Sequence, residues 1–183
     1  MQSTMPPTLS FVIARVDDAS RIAALVNRAY RGDSSRLGWT NEADLFDGPR
    51  TDENEVRDLI SAPGSMILLC LEGDEVVGSV LLKTLGPTAY LGMLVTEPRL
   101  QGAGIGSRLM LAAEATARQK WATTTISITV VSGRDELTAF YQRRGYRPTG
   151  QVESLPAHRL SVPRVDSLAL AVMEKKLDAP TVV

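Results

Sequence analysis

The sequence has few of the residues that form disulfide frameworks, metal sites and membrane spans. Its 183 residues include one cysteine and one histidine, which excludes a disulfide framework and argues against a Cys/His metal site. No apolar run approaches the roughly 18 residues of a membrane-spanning helix. Residues 1–10 lack the basic start and apolar core of a signal peptide. We therefore predict a cytoplasmic protein that has no metal cofactor and no membrane partner.

An excess of charge of one sign is also absent. The chain has 20 Lys and Arg against 21 Asp and Glu, and its net charge is −1, so no overall basic field would attract nucleic acid. A hydrophobic content of 44% and a charged content of 22% are ordinary for a soluble globular protein. We expect one domain over residues 1–183, with a core at about residues 9–177 and a frayed tail at residues 178–183.

A strand, a glycine-rich turn and an amphipathic helix follow one another between residues 90 and 119. The turn reads QGAGIG at residues 101–106. The helix has apolar positions at intervals of three and four, namely Ile105, Leu109, Ala112, Ala113, Thr116 and Ala117. Glycines at alternate positions let the backbone curl around one concavity, to which the helix start adds unpaired N–H groups. This combination predicts an anion site suited to a phosphate or pyrophosphate.

The spacing of the glycines distinguishes this turn from other phosphate-binding motifs. It differs from the dinucleotide fingerprint G-x-G-x-x-G, and the residue after Gly106 is Ser107 rather than the lysine of a P-loop. The alternative is a tight strand-to-helix connection that binds nothing, since glycine-rich turns are common. A nucleotide-dependent oxidoreductase is disfavoured by the same spacing.

The remaining sequence predicts an α/β protein with the element order β-α-α-β-β-β-α-β-α-β-β, a mixed sheet and helices on both faces. Strands are predicted at residues 9–16, 66–71, 76–83, 90–95, 123–131, 146–153 and 167–175. Helices are predicted after Asp17 or Asp18, after Asp52 in a capping-box pattern with Glu55, after the glycine-rich turn, and at residues 134–144. Residues 33–50 form a long polar segment, and residues 155–163 read as a loop.

Two motifs resemble the GNAT N-acetyltransferase superfamily. The pattern Gln101-x-x-Gly104-x-Gly106 is similar to its acyl-CoA pyrophosphate loop, and AFYQRRGY at residues 139–146 is similar to its late helix. The resemblance covers about residues 11–177. It implies a GNAT-like, mostly antiparallel sheet whose central strand pair is splayed, and it implies acetyl-CoA as co-substrate. The implied reaction is acetyl transfer to a primary amine of a small molecule or peptide. Homodimers are common in the superfamily and are a further expectation.

The resemblance also implies where acetyl-CoA binds. Its pantetheine arm would pair with the strand at Leu94, Val95 and Thr96, beside a bulge that Gly92 could mark. Its pyrophosphate would lie on the amides of Gln101, Gly102, Ala103, Gly104, Ile105, Gly106 and Ser107. Arg134 stands where many relatives carry Asn, and we keep two alternatives for it, a contact with a phosphate or an ion pair with Asp135 or Glu136.

Tyr141 is the candidate general acid and a further cofactor-contacting residue. A phenol, with a pKa near 10, is protonated at neutral pH and can donate a proton to the departing sulfur. Periodicity alone favours a core residue, because Tyr141 shares a helix face with Leu137 and Phe140. The superfamily resemblance favours the acid. Direct attack by the amine is expected, since Cys70 lies within the apolar run MILLCL and is predicted to be buried.

The sequence offers one candidate for the general base. Many relatives place a glutamate early in the central strand, where this chain has Thr88, Tyr90 and Gly92. Glu97 is the nearest candidate base, and the alternatives are a solvated loop carboxylate at that position and a proton relay through water.

The acceptor pocket is expected from residues 33–50 and 155–163, with Trp39 as an aromatic wall and Glu42 as an acid for a cationic amine. A surface role explains both residues equally well. The alternative function for the whole chain is a non-catalytic acyl-CoA-binding module on the same fold.

Overall fold

The computed structural model describes residues 8–31, 44–155, 162–164 and 168–178, and its main feature is a seven-stranded sheet. The strands are β1 (Leu9–Ile13), β2 (Phe46–Asp47), β3 (Ser65–Glu72), β4 (Glu75–Leu85), β5 (Thr88–Thr96), β6 (Thr125–Val131), β7 (Arg147–Ser154), β8 (Val162–Pro163) and β9 (Ala169–Lys176). The helices are α1 (Ala19–Tyr30), α2 (Glu53–Ser61), α3 (Ile105–Trp121) and α4 (Asp135–Gln142). No helix in these ranges is long and apolar enough to cross a membrane.

The main sheet has the order β1-β3-β4-β5-β6-β9-β7, and every neighbouring pair is antiparallel except β5 and β6. The predicted mixed, mostly antiparallel sheet is therefore confirmed. The short strands β2 and β8 pair with each other in a separate ribbon. They lie in segments that the sequence predicted as polar chain and loop, because two residues are too few to show a period.

The parallel pair β5 and β6 is splayed. Only Thr88–Tyr90 pairs with residues 125–127, although β5 is nine residues long. Beyond Tyr90 the two strands separate, so the edge of β5 that faces β6 has no partner strand over its last six residues. This confirms the splayed central pair and leaves a gap in the middle of the sheet.

A bulge in β5 lies beside this gap. Gly92 pairs with Leu81 and Val95 pairs with Ser79, so Met93 and Leu94 together lie opposite the single residue Val80. Met93 has a positive φ of 47°, the left-handed conformation that an extra residue requires here. The bulge expected next to Gly92 is thus present at the two residues that follow it.

The bulge changes which side chains of β5 face which layer. Ahead of it, Ala89 and Leu91 pack in the core beneath α3, as alternation requires. After it, Leu94 packs against that core, while Met93 and Val95 belong to the core beneath α1. One inserted residue reverses the alternation. Leu94 therefore lies on the same side of the sheet as the glycine-rich turn.

Helices α1 and α2 cover one face of the sheet, and α3 and α4 cover the other. Asp52 caps α2 as predicted, since its side chain accepts a hydrogen bond from the Glu55 N–H at 2.8 Å. Asp18 does not cap α1. Its carboxylate accepts a hydrogen bond from the Arg15 N–H at 2.6 Å and closes a 3-10 turn at Val16–Asp18. The first strand ends before this turn, at Ile13, and is therefore shorter than predicted.

A buried carboxylate fastens α3 to the C-terminal part of the sheet. Glu114 is 6% exposed, and the Lys175 ammonium donates to it at 2.6 Å. The hydroxyl of the fully buried Tyr146 donates to the other oxygen at 3.0 Å. Both carboxylate oxygens thus have a partner, which compensates for part of the desolvation of the charge.

We expect Glu114→Ala to lower the free energy of unfolding by about 2 to 4 kcal/mol, because it leaves Lys175 and the Tyr146 hydroxyl without their partner. Urea unfolding of the whole chain measures the change. Gln119→Ala, at an exposed position of the same helix, is the control and should change stability by less than about 0.5 kcal/mol. Equal stabilities of the two variants would contradict the structural role of Glu114.

Candidate active site

A cavity of about 770 Å³ passes through the gap between β5 and β6. Its wall on one side of the sheet comes from the glycine-rich turn and from α4. Its wall on the other side comes from the end of α1, from residues 46 and 50, and from residues 154, 155 and 163. One continuous space therefore reaches both faces of the sheet.

The glycine-rich turn presents unpaired amides to this cavity. Gly102 and Gly104 have φ values of 90° and 79°, conformations that favour glycine, while Gly106 lies in the first turn of α3. The Arg108 N–H bonds to the Gly104 carbonyl and starts the helix. The amides of residues 105–107 consequently have no helical partner, and with the helix dipole they provide the arrangement that the predicted anion site needs.

Two of the seven amides that were predicted to bind the pyrophosphate already have hydrogen-bond partners within the turn. The Gln101 N–H bonds to the Pro98 carbonyl at 3.4 Å, and the Ala103 N–H bonds to the Leu100 carbonyl at 3.3 Å. A 3-10 turn at Pro98–Leu100 supplies both acceptors. Ala103 is exposed and is not among the residues that line the cavity, whereas Gln101 does line it. Of the amides predicted to bind an anion, those of Gly102 and of residues 104–107 are therefore the remaining candidates.

Arg144 adds a positive charge to this site. Its guanidinium donates to the Ser107 hydroxyl, with an Nε–Oγ distance of 3.0 Å, and to the Phe140 carbonyl at 2.7 Å. The guanidinium also lies 3.5 Å from the centre of the Phe140 ring. The preceding residue, Arg143, is exposed and does not line the cavity, so only one of these two adjacent arginines reaches the site.

Arg134 lines the cavity and also forms an ion pair. Its Nε lies 2.5 Å from a Glu136 oxygen, and this hydrogen bond lowers the pKa of the Glu136 carboxyl. Of the two alternatives for Arg134, the ion pair is thus present in the ligand-free protein. The position on the cavity wall leaves a contact with a phosphate geometrically open.

The bulged part of β5 lines the centre of the cavity. Leu94, Val95 and Thr96 all contribute to the wall. The Val95 side chain is 1% exposed and packs under α1, so the cavity meets the strand at Val95 mainly through its backbone. The Tyr30 hydroxyl donates to the Leu94 carbonyl at 3.2 Å and so ties the bulge to the end of α1.

Tyr90 closes the narrow end of the gap. Its hydroxyl lies 3.2 Å from the Thr129 hydroxyl, which connects β5 to β6 just beyond their last paired residues. Its ring lies over Gly92, where an added Cβ would come within 2.5 Å of a ring carbon. Gly92 is therefore needed to make room for the Tyr90 ring. The sequence offered no signal for this contact, since Tyr90 is an ordinary aromatic residue of a strand.

Tyr141 lies on the cavity wall, with its ring packed edge-on against Phe140 and Tyr146 at centroid distances of 5.2 and 5.8 Å. Its hydroxyl has no hydrogen-bond partner among the described residues, and it is not one of the fully buried polar atoms. The hydroxyl is therefore accessible from the cavity. Burial, reinforced by Tyr90, raises the pKa of Tyr141 well above its usual value of about 10, and Arg144 opposes the rise. The phenol is neutral throughout the physiological range.

Glu97 is not part of the cavity wall among the described residues. It is 6% exposed, and its carboxylate pairs with Arg28 at 3.0 Å and with Arg99 at 3.5 Å. These ion pairs give Glu97 a structural role between α1 and the turn that precedes the glycines. The geometry therefore argues against Glu97 as a general base, and equally against a solvated loop carboxylate.

The two segments expected to form the acceptor pocket do meet. Phe46 of β2 pairs with Pro163 of β8, and both line the cavity on the α1 and α2 side. An ion pair between Arg164 and Asp47, with N and O 2.5 Å apart, holds this ribbon together. Trp39 and Glu42, the predicted acceptor-binding residues, lie outside the described residues.

Cys70 is fully buried, as predicted, and burial raises the pKa of its thiol. It lies in β3 and is absent from the cavity wall. A buried thiol with a raised pKa is a poor nucleophile. Within the described ranges, no three His, Cys, Asp or Glu side chains come together as metal ligands.

Comparison with known proteins agrees with this geometry. Residues 34–146, more than half of the chain, match the model of the acetyltransferase (GNAT) family. No curated protein matches the sequence.

Many solved structures match the fold. The ribosomal-protein-S18-alanine N-acetyltransferase from Escherichia coli is 10% identical, with a TM-score of 0.68 over 96% of this chain and 99% of that one. An acetyltransferase of the GNAT family from Streptococcus pneumoniae is 18% identical, with a TM-score of 0.64 over 93% and 100%. A protein from Salmonella typhimurium, solved with its cofactor acetyl-CoA, is 19% identical, with a TM-score of 0.65 over 96% and 99%. At such identities these matches show the fold alone.

Proposed function

Because the chain belongs to the acetyltransferase (GNAT) family, we propose that it transfers the acetyl group of acetyl-CoA to a primary amine that attacks the thioester directly. The observation that supports this best is the single cavity that joins the anion site on one face of the sheet to the opposite face. Two reactants can enter such a cavity from opposite sides and meet in the gap between β5 and β6. The Salmonella structure with acetyl-CoA supports the choice of donor.

The residues at the anion site suit the diphosphate of CoA. The amides of Gly102 and of residues 104–107 can donate to phosphate oxygens, and the N-terminal end of α3 contributes about half a positive charge. The Arg144 guanidinium, held at Ser107, adds a full charge beside these amides. The charge and the donors together hold an anion without any metal ion.

The open edge of β5 suits the pantetheine arm. Residues 91–96 have no partner strand on the β6 side, so their backbone groups on that edge are available to the two amides of pantetheine. An added strand of this kind satisfies backbone groups that the splay leaves unpaired. The arm would then lie with its sulfur in the gap, between the bulge and α4.

The bulge can stabilise the negative charge that develops on the thioester oxygen. Met93 and Leu94 lie outside the regular β4–β5 pairing, and Tyr30 fixes the Leu94 carbonyl on the α1 side. We assign the oxyanion contact to a backbone N–H in the Leu94–Thr96 segment. A donor fixed in advance costs little reorganisation during the reaction, which is how such contacts accelerate acyl transfer.

Tyr141 is placed to serve the departing sulfur. Its raised pKa weakens it as an acid but keeps it protonated, so its main contribution is a hydrogen bond to the sulfur as the C–S bond breaks. It then supplies the proton that converts the thiolate to the thiol, and the proton lost by the attacking nitrogen restores the phenol. The numbers of protons lost and gained are therefore equal.

The described part of the cavity wall contains no Asp, Glu or His. We therefore propose that no side chain there removes the first proton of a protonated amine, and that this proton leaves through solvent in the open cavity. The amine then reacts from the fraction that is already neutral.

A thiol-release assay over a panel of amines tests the proposed function. Release that depends on an added amine supports an acetyltransferase. Binding of acetyl-CoA without release for any amine would favour the non-catalytic acyl-CoA-binding module.

The anion site can be tested with a pair of matched glycine variants. Gly104 and Gly73 both have positive φ values, of 79° and 61°, and an added side chain meets no atom within 4 Å at either position. Valine at either site brings a similar backbone strain, but only the Gly104 side chain would enter the cavity. We expect Gly104→Val to fold and to show no thermal shift with acetyl-CoA, while Gly73→Val keeps the shift of the wild type. Equal shifts would contradict the anion site.

We expect Tyr141→Phe to lower kcat by about 10²-fold or more, since it removes the only donor assigned to the sulfur. The thermal shift with acetyl-CoA should stay close to that of the wild type. Steady-state kinetics and the thermal shift measure the two quantities, and an unchanged kcat would contradict the role of Tyr141.

The pH dependence of the reaction follows from the same two groups. A lysine-like amine has a pKa of about 10.4, so we expect kcat/KM to rise about tenfold per pH unit from about pH 6 to 9. Because the pKa of Tyr141 is raised, its deprotonation should cause no fall in rate below about pH 10. A plateau that begins near neutral pH would reveal a side-chain base, and a falling rate between about pH 8 and 9.5 would contradict the proposed state of Tyr141.

A further inference from the structure

The charge on the cavity wall is uneven, and it bears on the identity of the amine acceptor. Four arginines line the cavity, and none of the described lining residues is Asp or Glu. Arg134 and Arg144 belong to α4 and its ends, on the side of the anion site. Arg31 and Arg50 lie on the opposite side, at the end of α1 and just before α2. The sheet separates Arg31 and Arg50 from the site assigned to the phosphates of CoA. We therefore expect these two arginines to face a different anion.

Arg50 is the better placed of these two residues to bind an anion. Its guanidinium lies 5.9 Å from the centre of the Tyr30 ring and makes no hydrogen bond or ion pair with the residues that the structure describes. Arg31 differs, because its Nε donates to the Gly48 carbonyl at 3.1 Å and its guanidinium lies 4.9 Å from the centre of the Phe46 ring. A cavity-lining guanidinium with available donors suits a carboxylate or a phosphorus oxyacid.

The backbone of Arg50 is held firmly in place. The Asn27 side chain of α1 accepts a hydrogen bond from the Arg50 N–H at 2.7 Å and donates to the Thr51 carbonyl at 2.9 Å. Thr51 is 1% exposed, so this clamp lies inside the protein. The backbone of Arg50 is thus fixed before a ligand binds, which lowers the entropic cost of holding an anion.

Tyr30 connects this position to the site of acetyl transfer. Its ring lies beneath the Arg50 guanidinium, and its hydroxyl bonds to the Leu94 carbonyl at the bulge. A molecule that lies along Tyr30 would place one end near Arg50 and the other near the strand that holds the thioester. The amine belongs at the second of these ends.

We propose that the acceptor is a small amine that also carries an acidic group, as a free amino acid does, and that Arg50 binds this acidic group. The inference rests on the proposed acetyl transfer for the role of the amine. The arrangement disfavours polyamines and aminoglycosides, whose extra positive charges would meet those of Arg31 and Arg50. It also disfavours a protein N-terminus, where a neutral peptide group would take the place of the acid.

The test is calorimetric titration of the CoA-loaded protein, because binding can be measured whether or not turnover occurs. The probes are the common L-amino acids, the carboxamide of each, and spermidine. We expect at least one amino acid to bind at least tenfold more tightly than its carboxamide and than spermidine. The proposal fails if carboxamides or spermidine bind as tightly as the acids, or if none of the probes binds.

Three variants assign the effect to Arg50. Arg50→Gln should remove the preference for acid over carboxamide and leave the thermal shift with acetyl-CoA unchanged, while Arg50→Lys should keep part of the preference through its charge. Arg57→Gln is the control, since Arg57 lies on α2, pairs with Glu53 and is absent from the cavity wall. A preference that survives Arg50→Gln would overturn the assignment.

A thiol-release assay with the same probes separates this inference from the proposed function. If an amino acid binds with the expected preference but is not acetylated, the acidic subsite stands and the proposed transfer fails. If carboxamides are bound and acetylated as well as the acids, the transfer stands and the acidic subsite fails.

Discussion

Hydrogen bonding between the two parallel strands at the middle of the sheet stops after Tyr90, and the cavity exists because it stops there. Two structural features are associated with the opening. The bulge at Met93 and Leu94 breaks the regular course of β5, and the Tyr90 side chain bridges to Thr129 at the point of divergence. A continuous sheet would bury the edge of β5, and no space would connect the two faces. The glycine-rich turn, the bulge and Tyr141 would then line no common cavity.

The bulge also determines which groups of β5 face which side of the sheet. Because it reverses the alternation of side chains, Leu94 comes to lie on the side of the glycine-rich turn, and Val95 anchors the strand beneath α1. The Tyr30 hydroxyl holds the bulge from the α1 side. The same strand therefore has an open edge toward β6 and a bulge that is held from the α1 side. The cations follow this division, with one pair of arginines on each side of the sheet.

What the sequence predicted correctly was largely local. The glycine-rich turn lies between a strand and a helix that are contiguous with it in the chain, and the positive φ values of Gly102 and Gly104 are what the choice of glycine indicated. The burial of Ile126, Ile128 and Val130 likewise follows from period-two alternation within one strand. The late helix and its tyrosine came from a motif of eight contiguous residues.

What the sequence did not predict depends on contacts between distant segments. The pairing of Arg28 with Glu97 joins residues 69 positions apart, so a carboxylate next to the motif looked like a base although it is held by an ion pair. Arg144 and Ser107 are 37 positions apart, and nothing in a pair of helical arginines distinguishes the one that reaches the site. The Arg50 N–H bonds to the side chain of Asn27, 23 positions away, and this contact holds the Arg50 backbone beside the cavity. Side-chain periodicity carries no information on such pairings.

The most direct measurement is a crystal structure of the protein with CoA. We expect the pantetheine amides to pair with the β5 edge between Leu91 and Thr96, and the diphosphate to contact the amides of Gly104 to Ser107. The two strands should remain apart beyond Tyr90. A structure in which β5 and β6 pair along their full length, or in which the diphosphate lies away from the glycine-rich turn, would contradict this expectation.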